Sequence, residues 1–167
     1  MRTVQRLHAP QSGKTGVANS ITFQPYAYDA HNIDHLLRHI PRLLTPKFLS
    51  PEWKRRPRRH RFSGLSLVAA EAFFFLIDRH SLQPKTALDP IGHAHFWIVD
   101  GEQIFDPTGG QYQDFNYASG RYLHWMNSSA DIQLRSLLLI QKFLRFDGKA
   151  HSEDKLSYDG RRPMVFW

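Results

Sequence analysis

Apolar residues Ile33, Leu36, Leu37, Ile40, Leu43 and Leu44 recur at helical spacing between about Asn32 and Leu44. That spacing predicts an amphipathic helix, closed by Pro46 and Pro51. Between Ser66 and Arg79 the pattern changes, because only Glu71 and Asp78 interrupt Leu67 to Ala70, Ala72 and the run Phe73 to Ile77. A helix apolar on all sides is buried on all sides, so this one is expected at the centre of the fold. Gly64 with Ser63 or Ser66 supplies small, cap-competent residues at its start, and Arg79 and His80 suit the negative end of its dipole. A further helix is expected over Ile132 to Phe146, capped by Ser128, Ser129 or Asp131 and stopped at Gly148.

The period shortens around Asp100-Gly101, a two-residue turn signal between runs rich in β-branched and aromatic residues, His93 to Val99 and Gln103 to Phe105. A loop of Asp100 and Gly101 pairs Val99 with Glu102 and, counting outward, His95 with Asp106. Directly paired residues share a face with Cβ atoms about 5 Å apart, so His95 and Asp106 are predicted neighbours, and a one-residue bulge would separate them. Ser81 to Gly92, with Pro84 and Pro90, reads as a loop. Gln111 to Met126 is aromatic without periodicity and is expected to pack over the sheet. Met1 to Ala30 reads as an irregular arm, and the polar tail from Ala150 ends in Pro163 to Trp167, which is expected to dock on the body. The whole, residues 1–167, fits one α+β domain.

Composition narrows the chemistry. The absence of cysteine excludes disulfides, thiolate zinc sites and thiol catalysis for the chain as written. The longest apolar run is too short to span a bilayer and the N-terminus lacks a secretory core, so the expectation is a cytoplasmic protein, in a host cytoplasm if phage-encoded. The formal charge is +7, and Lys54, Arg55, Arg56, Arg58, Arg59 and Arg61 are so concentrated that without these six only +1 remains. Such a stretch fits a phosphate backbone, an acidic protein partner, or simply a solvated connection; no recognisable nucleic-acid module surrounds it. Ser12-Gly13-Lys14-Thr15 lacks the earlier glycine of a phosphate loop, since His8 stands there. His31, His35 and His39 recur every four residues, but they fall opposite the apolar stripe beside Arg38 and Arg42 and read as a solvated face rather than a metal ladder.

Ser66, His95 and Asp106 are the candidate catalytic residues. An aspartate bonded to one imidazole nitrogen leaves the other to take a proton from a nucleophile. A nucleophile at a helix N-terminus gains from the dipole and from free N–H groups, here those of Leu65 and Ser66, that can receive an oxyanion. Taken singly, Ser66 reads as a helix cap, His95 as a cross-strand histidine and Asp106 as the start of an Asp-Pro-Thr turn. A His93, His95 and Asp106 metal site is a second reading, and nucleic-acid binding through Lys54 to Arg61 a third.

Gly64-Leu65-Ser66-Leu67-Val68-Ala69-Ala70-Glu71-Ala72, then Ala94-His95-Phe96-Trp97, then Ile104-Phe105-Asp106-Pro107-Thr108 with Gln111-Tyr112, resembles a group of small phage and bacterial proteins of unassigned activity. Their arrangement is similar to the papain and transglutaminase superfamily, in which a cysteine heads a helix and His and Asp lie on adjacent strands. The resemblance covers Phe62 to Tyr112. It implies a papain- or transglutaminase-like core, a buried helix packed on an antiparallel sheet, and acyl transfer on an amide-type bond of a protein or peptide by a peptidase, amidase, deamidase or transglutaminase-type enzyme without cofactor. This chain departs from the pattern at the centre, where Ser66 stands at the cysteine position. Serine is far harder to ionise than cysteine, so three readings stand: an inactivating substitution, a natural serine nucleophile, or a pseudoenzyme that only binds.

Overall fold

The computed structural model describes residues 2–4, 21–123 and 133–149. It is a mixed α+β arrangement in which α1 (Ala30–Leu43), α3 (Ser66–Leu76) and α4 (Leu134–Phe146) pack together and α3 lies on a four-stranded antiparallel sheet. The sheet has the order β7-β6-β5-β8, built from β5 (Gln83–Leu88), β6 (Ala94–Asp100), β7 (Gln103–Phe105) and β8 (Arg121–Tyr122). Short strands β1 (Arg2–Val4) and β2 (Ile21–Phe23) pair antiparallel, and β3 (Tyr26–Ala27) pairs parallel with β4 (Ile77–Asp78). The N-terminal region is therefore not wholly irregular. No helix among the described residues is long and apolar enough to cross a membrane.

Helix α1 starts earlier than the apolar pattern suggests, because Asp29 caps it by accepting from Asn32 N–H at 2.8 Å. Its histidines are not a uniformly solvated face. His31 is exposed, but His35 lies against Phe143 and its Nε2 is 3.0 Å from Asp147 Oδ1, while His39 packs on Phe146. Helix α4 supplies a second apolar surface that the sequence of α1 alone does not announce. It ends as expected at Gly148, where φ is +69°, Lys149 N–H reaches Leu144 O at 2.8 Å and Gly148 N–H reaches Arg145 O at 3.3 Å. This is a Schellman closure, which requires the left-handed residue that glycine supplies. The caps proposed at Ser128, Ser129 and Asp131, residues 12–15 and the tail from Ala150 lie outside the described residues.

Helix α3 is buried at every position except the half-buried Leu67. It stops at Leu76, three residues short of the expected end at Arg79, because Ile77 and Asp78 leave to pair with Tyr26 and Ala27. Arg79 thus does not serve the helix dipole; it meets Asp100 at 3.0 Å and lies over the Tyr28 ring. The expected loop from Ser81 to Gly92 holds a strand instead. Pro84 sits within β5 opposite Ile98, has no N–H to leave unpaired, and gives its carbonyl to Leu123 N–H at 2.9 Å.

Candidate active site

The hairpin folds with Asp100 opposite Gln103, Val99 opposite Ile104 and Ile98 opposite Phe105. The two turn residues are accordingly Gly101 and Glu102, not Asp100 and Gly101. Gly101 has φ +59° and Glu102 does not enter the left-handed region, the requirement of a turn with glycine at its first central position. This register is two residues from the one counted on the sequence. Because side chains alternate with period two, a slip of two changes each residue's partner but not its face. His95 and Asp106 still share a face, now diagonally, and His95 Nε2 lies 2.5 Å from Asp106 Oδ2.

The pair is enclosed. His95 is fully buried and the Asp106 side chain is 5% exposed. Asp106 Oδ2 also accepts from Tyr117 Oη at 2.8 Å, while Oδ1 accepts from Thr108 N–H at 2.9 Å and Thr108 Oγ1 at 3.1 Å. Asp-Pro-Thr is therefore a turn in which the aspartate binds its own chain two residues on and a strand histidine at once. Burial and the neighbouring Asp106 charge push the Tyr117 hydroxyl well above its usual range, which keeps it a neutral donor. With Nε2 engaged, His95 has Nδ1 left, and Gln111 Nε2 stands 3.4 Å from it. Tyr112 and Phe115 meet the imidazole edge to face at 4.8 Å, and Trp97 stacks at 5.9 Å. The aromatic segment thus packs over the sheet, on the face bearing His95 and Trp97.

Ser66 is the first residue of α3 and is 5% exposed. It caps nothing. The N-cap is Leu65, which makes no side-chain cap bond, Ser63 Oγ serves His60 N–H at 3.2 Å, and Ser66 Oγ has no hydrogen-bond partner among the described residues. Leu65 N–H is also unavailable as an oxyanion donor, because it donates to Phe62 O at 2.9 Å. Ala69 N–H closes the first helical bond onto Leu65 O, so the groups the helix leaves open are the N–H of Ser66, Leu67 and Val68.

Ser66 is not hydrogen-bonded to His95. Phe96 and Ile98 join the core beneath α3, and His95 and Trp97 project from the opposite face of β6. The head of α3 reaches that second face through Trp53. A Cβ on Gly64, whose φ is +78°, would lie 2.4 Å from the Trp53 ring, and the same ring meets His93 at 4.8 Å. Gly64 is required twice here, for its backbone conformation and for the aromatic ring lying against it.

No family model, characterised protein or solved structure matches this chain. His93 turns to Trp53 and Asp89, with Nδ1 4.0 Å from the Asp89 carboxylate, and no group of three metal-competent side chains occurs among the described residues. Lys54, Arg55, Arg56, Arg58, Arg59 and Arg61 are all exposed, from the last residue of α2 (Pro51–Lys54) along the turns that lead to α3.

Thr108, Gln111 and Tyr117 take part in the site without a role that the sequence assigns them. Thr108 and Gln111 were in view as part of the Asp106 motif, whose turn chemistry signals the first of them. Tyr117 carried no signal, since nothing periodic marks it. Glu71 is a polar residue inside α3. Its carboxylate accepts from Ser136 Oγ and from Gln133 N–H at 3.3 Å, while Oε1 is buried without a partner. Burial pushes its pKa up from 4.5 to about 7, against the pull of those two bonds and of Arg135.

Proposed function

We propose that the chain carries the acyl-transfer apparatus of a papain- or transglutaminase-like core, with residue 66 at the nucleophile position, His95 as general base and then acid, and Asp106 as the residue that orients His95. The observation that carries the reading is the buried His95 and Asp106 pair, in which Nε2 is fixed by the carboxylate and Nδ1, met by Gln111 Nε2 at 3.4 Å, is the nitrogen that a proton transfer would use. The unpartnered Ser66 hydroxyl and the open N–H groups of Ser66, Leu67 and Val68 support it from the other side. The reaction class is attack on an amide-type carbonyl, with proton transfer to the imidazole and charge on oxygen received by the helix head. Serine makes the chain as written inactive or weak, because among the described residues neither a cation nor the imidazole is bonded to Oγ to favour its ionised form.

The test is Ser66→Cys, assayed for reaction with a small neutral haloacetamide, beside the same protein carrying His95→Ala. The introduced thiol is expected to react faster than an ordinary thiol near neutral pH and to lose that advantage without His95. An ordinary rate, or indifference to His95, would make the pair a structural one and defeat the reading.

A further inference from the structure

The triad reading makes no use of the basic stretch, yet the fold sets that stretch against the head of α3. Only four residues, Phe62 to Leu65, separate Arg61 from Ser66, and this stretch is folded into consecutive turns in which Ser63 N–H meets His60 O at 3.1 Å and Leu65 N–H meets Phe62 O at 2.9 Å. Trp53, next to Lys54, lies on Gly64 and carries Arg56 over its ring at 5.4 Å. The loop is therefore continuous with the rim of residue 66.

We propose that Lys54 to Arg61 is the docking surface for an acidic peptide segment of the substrate, which it delivers to position 66; the catalytic consequence, though not the docking, rests on the acyl-transfer reading. Three of the five arginines are held in place by the backbone. Arg55 Nε donates to Pro51 O at 3.3 Å, Arg58 Nη1 to Arg61 O at 3.4 Å and Arg61 Nη2 to Pro41 O at 3.3 Å. Each such bond uses one of five guanidinium N–H groups, so a donor fork remains and less freedom is lost when it closes on a carboxylate. The side chains of Lys54 and Arg59 are exposed and have no partner among the described residues. The nearby acid Glu52 is engaged by Arg56, and Lys54 to Arg61 contains no acid of its own.

Aromatic placement favours peptide over nucleic acid. Single strands are held by bases stacking on free rings, but Trp53 is occupied by Gly64, His93 and Arg56, and Phe62 is buried with Arg61 over it at 4.4 Å. Duplex readout places a helix in the major groove, and α2 has only four residues.

The experiment uses the full chain with Ser66→Cys and three iodoacetyl peptides of equal length, bearing four glutamates, four glutamines or four lysines. The thiolate displaces iodide to form a thioether, and mass spectrometry follows the rate. The glutamate peptide is expected to label about tenfold faster than the glutamine peptide at low salt, with the lysine peptide slowest. The advantage should vanish at high salt and shrink in the Arg58→Gln, Arg59→Gln variant, whose changes are both at exposed positions. Equal rates for the glutamate and glutamine peptides overturn the docking surface even if haloacetamide reactivity still depends on His95. A charge preference on a thiol indifferent to His95 defeats the acyl-transfer reading and leaves the surface standing. If an oligonucleotide protects the thiol better than unlabelled oligoglutamate at equal charge, the partner is nucleic acid and the proposal is overturned.

Discussion

Glu71→Gln isolates the energetic effect of a carboxyl placed inside the central helix. In the folded chain its pKa is about 7 instead of 4.5, with burial the largest cause. Between those two values the folded protein retains a proton that the unfolded chain has released, so stability falls as pH rises through that window and levels off above about 7. At 1.36 kcal/mol for each pKa unit, the full loss is about 3 kcal/mol, a sizeable part of the roughly 5–15 kcal/mol that holds a domain together. Glutamine keeps one oxygen that can accept from both Gln133 N–H and Ser136 Oγ, places its amide where Oε1 has no partner, and never ionises. Urea unfolding followed by tryptophan fluorescence, run from pH 5 to pH 9 on both proteins, reads the difference. Contributions common to the two proteins cancel in the difference between them. The expected result is near-equal stability at pH 5 and an advantage of about 3 kcal/mol for Glu71→Gln at pH 8. A gap that does not change with pH would refute the placement of Glu71 as a protonated core residue.

Gly64→Ala combines a left-handed backbone with an aromatic ring at 2.4 Å, and should lower stability by about 2–5 kcal/mol in thermal or denaturant unfolding. Gly148→Ala has φ of the same sign but nothing within 4 Å, so it should cost only about 1–2 kcal/mol. Ser66→Ala should change stability by no more than about 0.5 kcal/mol, because the hydroxyl has no partner among the described residues to lose; a loss of about 1 kcal/mol would mean that the serine caps α3 after all. Asp106→Ala strands His95, Tyr117 and Thr108 donors in the interior at about 1–3 kcal/mol each, so circular dichroism should report a weakly folded or unfolded chain.

The sequence spoke most clearly where a period repeats. Helices α1, α3 and α4 were legible because their apolar residues either form a stripe or fill every side, and Gly148 marked an end because few other residues tolerate that conformation. The strand β5 was hidden by Pro84, which suggests a break unless a neighbouring strand needs only its carbonyl. The turn at Gly101 was found but misplaced, since Asp-Gly and Gly-Glu both fit a two-residue loop, and the glycine settles the choice by standing first. The His95 and Asp106 contact survived because an even slip preserves faces. What sequence periodicity cannot deliver is the relation between separate elements. It does not reveal that α4 covers His35 and His39, that Leu65 N–H is already engaged, or that His95 and Ser66 are not hydrogen-bonded to each other.

The four hydrogen bonds on Asp106 have an implication for how the pair can be watched. A carboxylate offers about four lone-pair directions, and each is taken here, so neither a water nor a metal ion can join it without displacing a protein group. Any proton gained or lost by His95 must be felt through that one carboxylate by Thr108 and Tyr117. The Thr108 amide, rigid and 2.9 Å from Oδ1, thereby becomes a built-in spectroscopic reporter of the imidazole's charge.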